Sequence, residues 1–229
     1  MSDQTMAAAD TAFDYAQTIS AMDQRPLAEA AIAGHSPLEH ADLSSVAKAQ
    51  QSDTGSVLLT ELKLRGHLVV RGKLDNAHFT SGVESVLGMA LPGTLTFVAK
   101  EGVSIRWISP DEWLIVTPPE RSFEIEQALV NAVKGHCAIV NVSGGQTILR
   151  LQGADVQKVL QKSVPLDVHD RQFPVGKVVT SLFAKSQAVI SRTGDSQWEL
   201  VIRRSFADYV WLWLQDCSAE FKLQVTVES

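Results

Sequence analysis

The densest group of ionisable side chains lies in residues 167–170, which read Asp-Val-His-Asp. Two carboxylates and an imidazole can bind a metal ion or share a proton. The same residues are also typical of a solvated turn, because Asp side chains accept hydrogen bonds from nearby backbone amides. Pro165 and Pro174 flank the stretch and favour a loop. The sequence therefore predicts a loop, favours the turn and leaves a metal site as the alternative.

A second candidate is the adjacent pair His136-Cys137. A nucleophilic cysteine needs a nearby base to form its thiolate. Neighbouring residues on a strand point to opposite faces, so this pair is not expected to meet. Cys137 is instead predicted to be a small buried hydrophobe. The sequence does not decide whether it bridges Cys217, but the N-terminus does not resemble a secretory signal, which predicts a cytoplasmic protein with reduced thiols.

Ser143-Gly144-Gly145 is the third candidate, a loop whose backbone N–H groups suit an anion. Gly-Gly is also a strong hairpin signal, and the favoured interpretation is a hairpin between the β-rich runs 138–142 and 146–151. The chain contains no glycine-rich phosphate motif, no nucleophile elbow and no two histidines spaced i, i+4. The sequence therefore predicts no catalytic, cofactor-binding or metal-binding residue in this chain.

The elements that position these residues occur twice. Trp113 and Trp198 each precede an apolar β-rich run, and an Arg-Ser-Phe triplet follows each run. Ser122 and Ser205 of those triplets are predicted helix N-caps. Upstream of each tryptophan the order is strand, helix and strands. The sequence therefore predicts an α+β fold made of two pseudo-equivalent split βαβ, ferredoxin-like modules.

Composition divides the chain near Ser56. The 229 residues have a net charge of −6, and residues 1–55 carry eight acidic against two basic side chains, which accounts for the whole excess. We predict an acidic, Ala-rich N-terminal arm over 1–55, a first module over 56–142 and a second over 143–229. The arm is either a mobile tail or a segment that orders against a partner chain. The acidic balance argues against nucleic-acid partners, and no apolar run is long enough for a membrane span.

The last predicted helix carries more large apolar residues than one core stripe needs. On a helical wheel the predicted core face holds Phe206, Tyr209, Val210, Trp213, Leu214 and Cys217. Trp211 and Leu212 fall outside it, beside the polar residues. Either the other half of this protein covers these two side chains, or they form a subunit interface.

Several of these motifs, taken in order, closely resemble the gamma subunit of heterotetrameric sarcosine oxidase. The likeness extends from about Ser36 to about Cys217. It rests on residues 141–153, 165–169, 173–176, 203–209 and 211–214, together with Leu64-Arg65-Gly66 and Asp111-Glu112-Trp113.

The resemblance implies a fold related to the folate-binding aminomethyltransferases. It implies a complex with alpha, beta and delta subunits that oxidises sarcosine to glycine, passes the one-carbon unit to tetrahydrofolate and releases hydrogen peroxide. FAD, FMN, NAD, zinc and tetrahydrofolate are then expected in the partner subunits, and a structural, non-catalytic role in this chain. The alternatives are a gamma subunit of a related N-methyl amino acid oxidase or dehydrogenase, or a stand-alone folate-binding aminomethyltransferase-like protein.

Overall fold

The computed structural model describes residues 34–50 and 54–228, which form five α-helices and eleven β-strands. The helices are α1 Leu43–Ala49, α2 Ala77–Leu87, α3 Ser122–Ala132, α4 Val156–Ser163 and α5 Ala207–Cys217. The strands are β1 Val57–Leu62, β2 Gly66–Gly72, β3 Phe97–Lys100, β4 Val103–Ser109, β5 Glu112–Thr117, β6 Cys137–Asn141, β7 Gln146–Gln152, β8 Val178–Phe183, β9 Ser186–Gly194, β10 Gln197–Arg203 and β11 Leu223–Thr226.

The predicted α+β repeat is confirmed. One copy runs β2-α2-β3-β4-β5-α3-β6 and the other runs β7-α4-β8-β9-β10-α5-β11. The first sheet has the order β3-β4-β5-β2-β6, and the second has the order β11-β1-β7-β10-β9-β8. Their strands pair antiparallel, except that β11 lies parallel to β1. The order of strands and helices expected from the repeat is therefore present in both copies.

One strand crosses between the sheets. β1 precedes β2 in the chain but pairs with β7, with Leu59 opposite Leu151, whereas β6 stays in the first sheet and pairs with β2. The sheets therefore do not divide at the predicted boundary, because β1 of the expected module 56–142 completes the sheet of the expected module 143–229. The predicted hairpin between 138–142 and 146–151 is wrong for the same reason, since its two strands lie in different sheets.

Apolar clusters divide the molecule into four layers. Phe79 of α2 and Leu129 of α3 pack on one side of the first sheet, and Val159 of α4 and Val210 of α5 pack on one side of the second. A third cluster joins the remaining faces of the two sheets and contains Leu62, Leu114, Val116, Ile148 and Val201. The order of layers is therefore helices, first sheet, second sheet, helices, with helices on only one face of each sheet.

The repeated tryptophans anchor equivalent places in the two cores. Trp113 is fully buried, its ring centroid lies 6.0 Å from that of Phe79, and its Nε1 donates to the carbonyl of Pro92 at 3.0 Å. Trp198 is 2% exposed, and its ring centroid lies 4.7 Å from that of Phe173. The two tryptophans that indicated the repeat are thus the largest of the fully buried side chains.

The predicted side-chain caps are wrong. α3 begins at Ser122 itself, and α5 begins after Phe206, with no side-chain hydrogen bond at either N-cap. A 3₁₀ turn precedes each helix, over Pro119–Arg121 and Arg204–Phe206. These turns begin the hydrogen-bond ladder, so a capping hydroxyl is not needed. Ser122 Oγ instead lies 3.4 Å from Ser143 Oγ.

Part of the predicted arm 1–55 belongs to the second core. Leu38 and Leu43 are 1% and 2% exposed and pack in the cluster beneath the second sheet. His40 Nε2 lies 2.8 Å from Asp208 Oδ1 of α5, and Ser36 Oγ donates to Glu61 at 2.6 Å. Residues 34–50 are therefore a packed segment, and the expectation of a tail or a partner-bound arm over 1–33 lies outside the described residues.

Candidate functional site

The ionisable loop 167–170 forms a turn. The carboxylate of Asp167 accepts from the backbone N–H of His169 at 2.9 Å, and Asp170 pairs with Arg192 Nη1 at 2.9 Å. The buried guanidinium of Arg192 also donates to the carbonyl of Phe173 at 2.9 Å, so the turn is fastened to the second core. Over residues 34–50 and 54–228, no three metal-ligating side chains lie together as a metal site requires.

The other two candidates are also occupied by structural contacts. The residues Ser143–Gly145 form a 3₁₀ turn that carries the chain from the first sheet to the second, and the amides of Ser143 and Gly145 both donate within it. Cys137 and Cys217 are free thiols. Cys137 is half-buried at the edge strand β6, and burial raises the pKa of the Cys217 thiol. A raised pKa disfavours the thiolate of Cys217, which is the form that a nucleophile needs.

Helix α5 is rotated relative to the predicted wheel. Val210, Leu214 and Cys217 are buried as expected, but Trp211 is buried too, at 5% exposure. Trp211 does not face outward as the wheel predicted, because its indole is buried in the core of the second sheet. That core is built mainly from the same half of the chain, with Val57 and Leu59 from the other half and Leu38 and Leu43 from the segment 34–50.

The other side of α5, with its N-cap residue Phe206, forms an outer face with four large apolar or aromatic side chains that are only partly covered, although Tyr209 and Trp213 also pack against the second core. Leu212 is 54% exposed, Phe206 is 43% exposed, and Tyr209 and Trp213 are half-buried. Isolated exposed apolar residues are common, whereas a contiguous group on one helix marks an interaction surface. The exposure predicted for Leu212 is thus present, and its role at an interface stays a prediction.

A groove of about 430 Å³ borders this outer face. It is lined by Trp213 on α5, Ser163 at the end of α4, Leu182 on β8, and Lys185 in the turn between β8 and β9. Trp213 Nε1 donates to Ser163 Oγ at 3.0 Å, so this hydrogen bond fixes the orientation of the ring.

A buried ion cluster lies between the two sheets, and the sequence interpretation missed it. Glu199 of β10 is paired with Arg106 of β4 and with Arg150 of β7, whose Nη2 donates at 2.8 Å. Burial alone would raise the pKa of Glu199, but the two guanidiniums hold it below its ordinary value, so it is ionised at neutral pH. The sequence signal for this cluster was the presence of charged residues, Arg106, Arg150 and Glu199, in the middle of otherwise apolar strands.

His67 lies beside this cluster, and neither of its ring nitrogens has a hydrogen-bond partner among the described residues. Burial, with a smaller effect from Arg106, lowers the pKa of His67 from 6.5 to about 4. The unfolded chain therefore takes up a proton below pH 6.5 that the folded chain takes up only near pH 4. It follows that stability is lost as the pH falls through this range.

We expect this histidine to remove about 2.5 kcal/mol of unfolding free energy between pH 7 and pH 4.5. Urea unfolding of the natural chain and of the His67→Leu variant over that pH range measures this contribution. The carboxylates titrate equally in both chains, so the difference between the two curves is due to His67. The variant's stability should fall less steeply by that amount. Parallel stability–pH curves would contradict a buried neutral His67.

The four-layer α+β fold, in which β1 joins the sheet of the second copy, defines the class of protein. The chain is similar in fold to the glycine cleavage system aminomethyltransferase T from Bartonella henselae, with a TM-score of 0.55 at 15% identity. The likeness covers 80% of this chain and 50% of that chain. The molecule therefore has the aminomethyltransferase-like architecture that the sequence resemblance implied.

Closer relatives identify the family. The model of the sarcosine oxidase, gamma subunit family matches residues 71–220. The sarcosine oxidase subunit gamma of Corynebacterium sp. (strain P-1) is 32% identical over 203 residues, 87% of this chain and 97% of that protein. The counterpart from Arthrobacter sp is 31% identical over the same shares. The chain belongs to the sarcosine oxidase gamma subunit family.

A solved structure agrees with this assignment. The chain is similar to a chain of the heterotetrameric sarcosine oxidase from Corynebacterium sp. U-96, with a TM-score of 0.73 and 26% identity. The likeness covers 82% of this chain and 96% of that one. In the part of the chain that the structure describes, no helix is long and apolar enough to span a membrane.

Proposed function

We propose that this chain is the gamma subunit of a heterotetrameric sarcosine oxidase and that its role in the complex is structural. The observation that carries the proposal is the likeness to a chain of the solved heterotetramer, which extends over 96% of that chain. The candidate site residues make structural contacts. The loop 167–170 forms a turn, and Ser143–Gly145 connects the two sheets. This use of the side chains supports a subunit that contributes surface rather than chemistry.

The proposal assigns the reaction to the assembled enzyme. Sarcosine is oxidised there to glycine, the one-carbon unit passes to tetrahydrofolate, and hydrogen peroxide is released. The partners are the alpha, beta and delta subunits, which hold FAD, FMN, NAD, zinc and tetrahydrofolate. The cytoplasmic location stays a prediction from the sequence.

We further propose that the outer face of α5 contacts one of these partners through Leu212. The support is physical: Leu212 is 54% exposed, and the indole of Trp213 beside it is already held by Ser163. Burial of a leucine side chain of this kind contributes about 1.5–3 kcal/mol. An aspartate at the same position would have to be desolvated on assembly, which is more costly still.

The test is co-expression of this chain with the three partner chains, followed by purification through a tag on the alpha chain. We expect a yellow complex that contains this chain and oxidises sarcosine. The Leu212→Asp variant should co-purify at least tenfold less efficiently, while the melting temperature of the variant chain alone stays within about 2 °C, since an exposed leucine contributes little to folding.

The matched control is Leu74→Asp, because Leu74 is equally exposed, at 55%, but lies in the loop between β2 and α2. It should co-purify like the natural chain. If Leu212→Asp co-purifies normally, the outer face of α5 does not contact a partner subunit. That result would not affect the assignment of the chain as a gamma subunit. A chain that never joins the flavin-containing complex, or that turns over methyl groups with folate alone, would overturn the assignment itself.

A further inference from the structure

A cavity of about 320 Å³ lies between the two sheets and is partly open to solvent. Its wall is apolar where Leu62 and Ile148 of the second sheet and Val116 of the first face it. It is charged on the side of the buried ion cluster, where Arg150 and Glu199 line it. Small-molecule sites have this combination of an apolar wall with a few convergent polar groups, and their volumes begin near 300 Å³.

The ion cluster beside the cavity has an excess of positive charge. Each nitrogen of the Arg106 guanidinium donates once, to Ser104, Ser191 or Glu199. Arg150 donates to Glu199 through Nε at 3.1 Å and Nη2 at 2.8 Å, and its Nη1 has no acceptor in the described part of the chain. Two guanidiniums thus share one carboxylate, which leaves one unbalanced positive charge and an Arg150 amino group that is available to a ligand.

Arg65, the other charged residue that lines the cavity, does not neutralise the excess positive charge of the cluster. Arg65 lines the rim and is itself paired with the carboxylate of Glu228. Positive charge that is partly withdrawn from water is costly unless an anion balances it. A single negative charge is enough to balance the cluster. The neutral part of the wall is mostly apolar, with Ser104, Thr193 and Gln197 as its polar residues. A compact, strongly hydrated dianion such as phosphate suits neither property.

We propose that this inter-sheet cavity binds a small monocarboxylate with an apolar body. The carboxylate accepts from Nη1 of Arg150, and the body packs against Leu62, Val116 and Ile148. A guanidinium–carboxylate bond of this kind is charge-assisted and is stronger than a neutral hydrogen bond. The cavity is then a ligand site within the gamma chain itself, separate from the outer face of α5.

The experiment is titration calorimetry of the full chain with benzoate as the probe, in parallel with the variants Arg150→Gln, Arg150→Lys and Arg71→Gln. Arg150→Gln leaves Arg106 and Glu199 as a balanced pair, so the fold is retained. Benzoate should bind this variant at least tenfold more weakly than the natural chain. Arg150→Lys keeps the charge and should bind within a few-fold. Arg71 is exposed and pairs with Asp111, so Arg71→Gln loses the same charge elsewhere and should bind normally.

Two further probes need no variant. Benzamide has the shape of benzoate without its charge and should bind at least tenfold more weakly, and inorganic phosphate should bind more weakly than benzoate. The proposal is overturned if benzoate does not bind at millimolar concentration, if Arg150→Gln binds it equally well, or if benzamide matches it. If phosphate bound more tightly than benzoate, the proposal that the ligand has an apolar body would be overturned. Each of these results leaves the subunit assignment untouched, because none depends on assembly.

Discussion

Replacing Glu199 by Gln is expected to lower the free energy of unfolding by about 3–5 kcal/mol at pH 7. The side chains of Arg106 and Glu199 are only 4% and 6% exposed, so the substitution leaves a buried guanidinium without its counter-ion. Arg150 is 32% exposed and can turn towards water, but Arg106 cannot. Urea unfolding followed by tryptophan fluorescence reports the loss, since Trp113 and Trp198 are both in the cores.

Two companion variants separate the charge effect from packing. Arg150→Gln keeps one arginine for one glutamate and should cost no more than about 1 kcal/mol. The double variant Arg106→Met with Glu199→Met removes the pair together and should recover most of the stability that Glu199→Gln loses, because apolar side chains of similar volume replace buried ions well. A stability of Glu199→Gln within about 0.5 kcal/mol of the natural chain would show that the cluster is solvated.

Replacing Trp211 by Ala is expected to lower the free energy of unfolding by about 3–5 kcal/mol. The indole is 5% exposed and packs in the cluster that also contains Leu38 and Leu43. Removing it leaves a cavity that the surrounding helices and strands cannot fill completely. Urea unfolding of the isolated chain at pH 7 is the direct measurement.

The neighbouring residue supplies the matched control. Leu212 is 54% exposed on the same helix, so Leu212→Ala should change the unfolding free energy by no more than about 0.5 kcal/mol. The two adjacent substitutions therefore test the rotation of α5 directly. Similar small effects at both positions would mean that Trp211 faces outward, as the helical wheel alone predicted.

The repeat could be predicted because its signals are local. Tryptophans, glycines and prolines recur in the same order in both halves, and this order was enough to predict strands and helices of one α+β class. The loop 167–170 was likewise interpretable as a turn, since Asp167 contacts a backbone amide only two residues away. Where the contacts that decide a structure lie within a few residues, the pattern of residue types carries the information.

Helix α5 shows where such reasoning failed. The wheel grouped Phe206 with the core and placed Trp211 outside it, but Phe206 is 43% exposed and Trp211 is only 5% exposed. Tyr209 and Trp213 pack against the core as the wheel predicted, although both are only half-buried, and the fully buried face holds Ala207, Val210 and Leu214. Hydrophobicity alone does not show which of two apolar faces of a helix has the shape to pack against the sheet.

The sequence by itself determined the α+β class, the duplication, the order of the elements and the resemblance to the sarcosine oxidase gamma family. Only the tertiary structure decided that β1 joins the second sheet, that residues 34–50 join the second core, and that Arg106 meets Glu199, which lies 93 positions away. The physical reason is that propensity and periodicity act along a few neighbouring residues. Strand partners and buried charge pairs depend instead on which distant surfaces are brought together, and no local pattern records that choice.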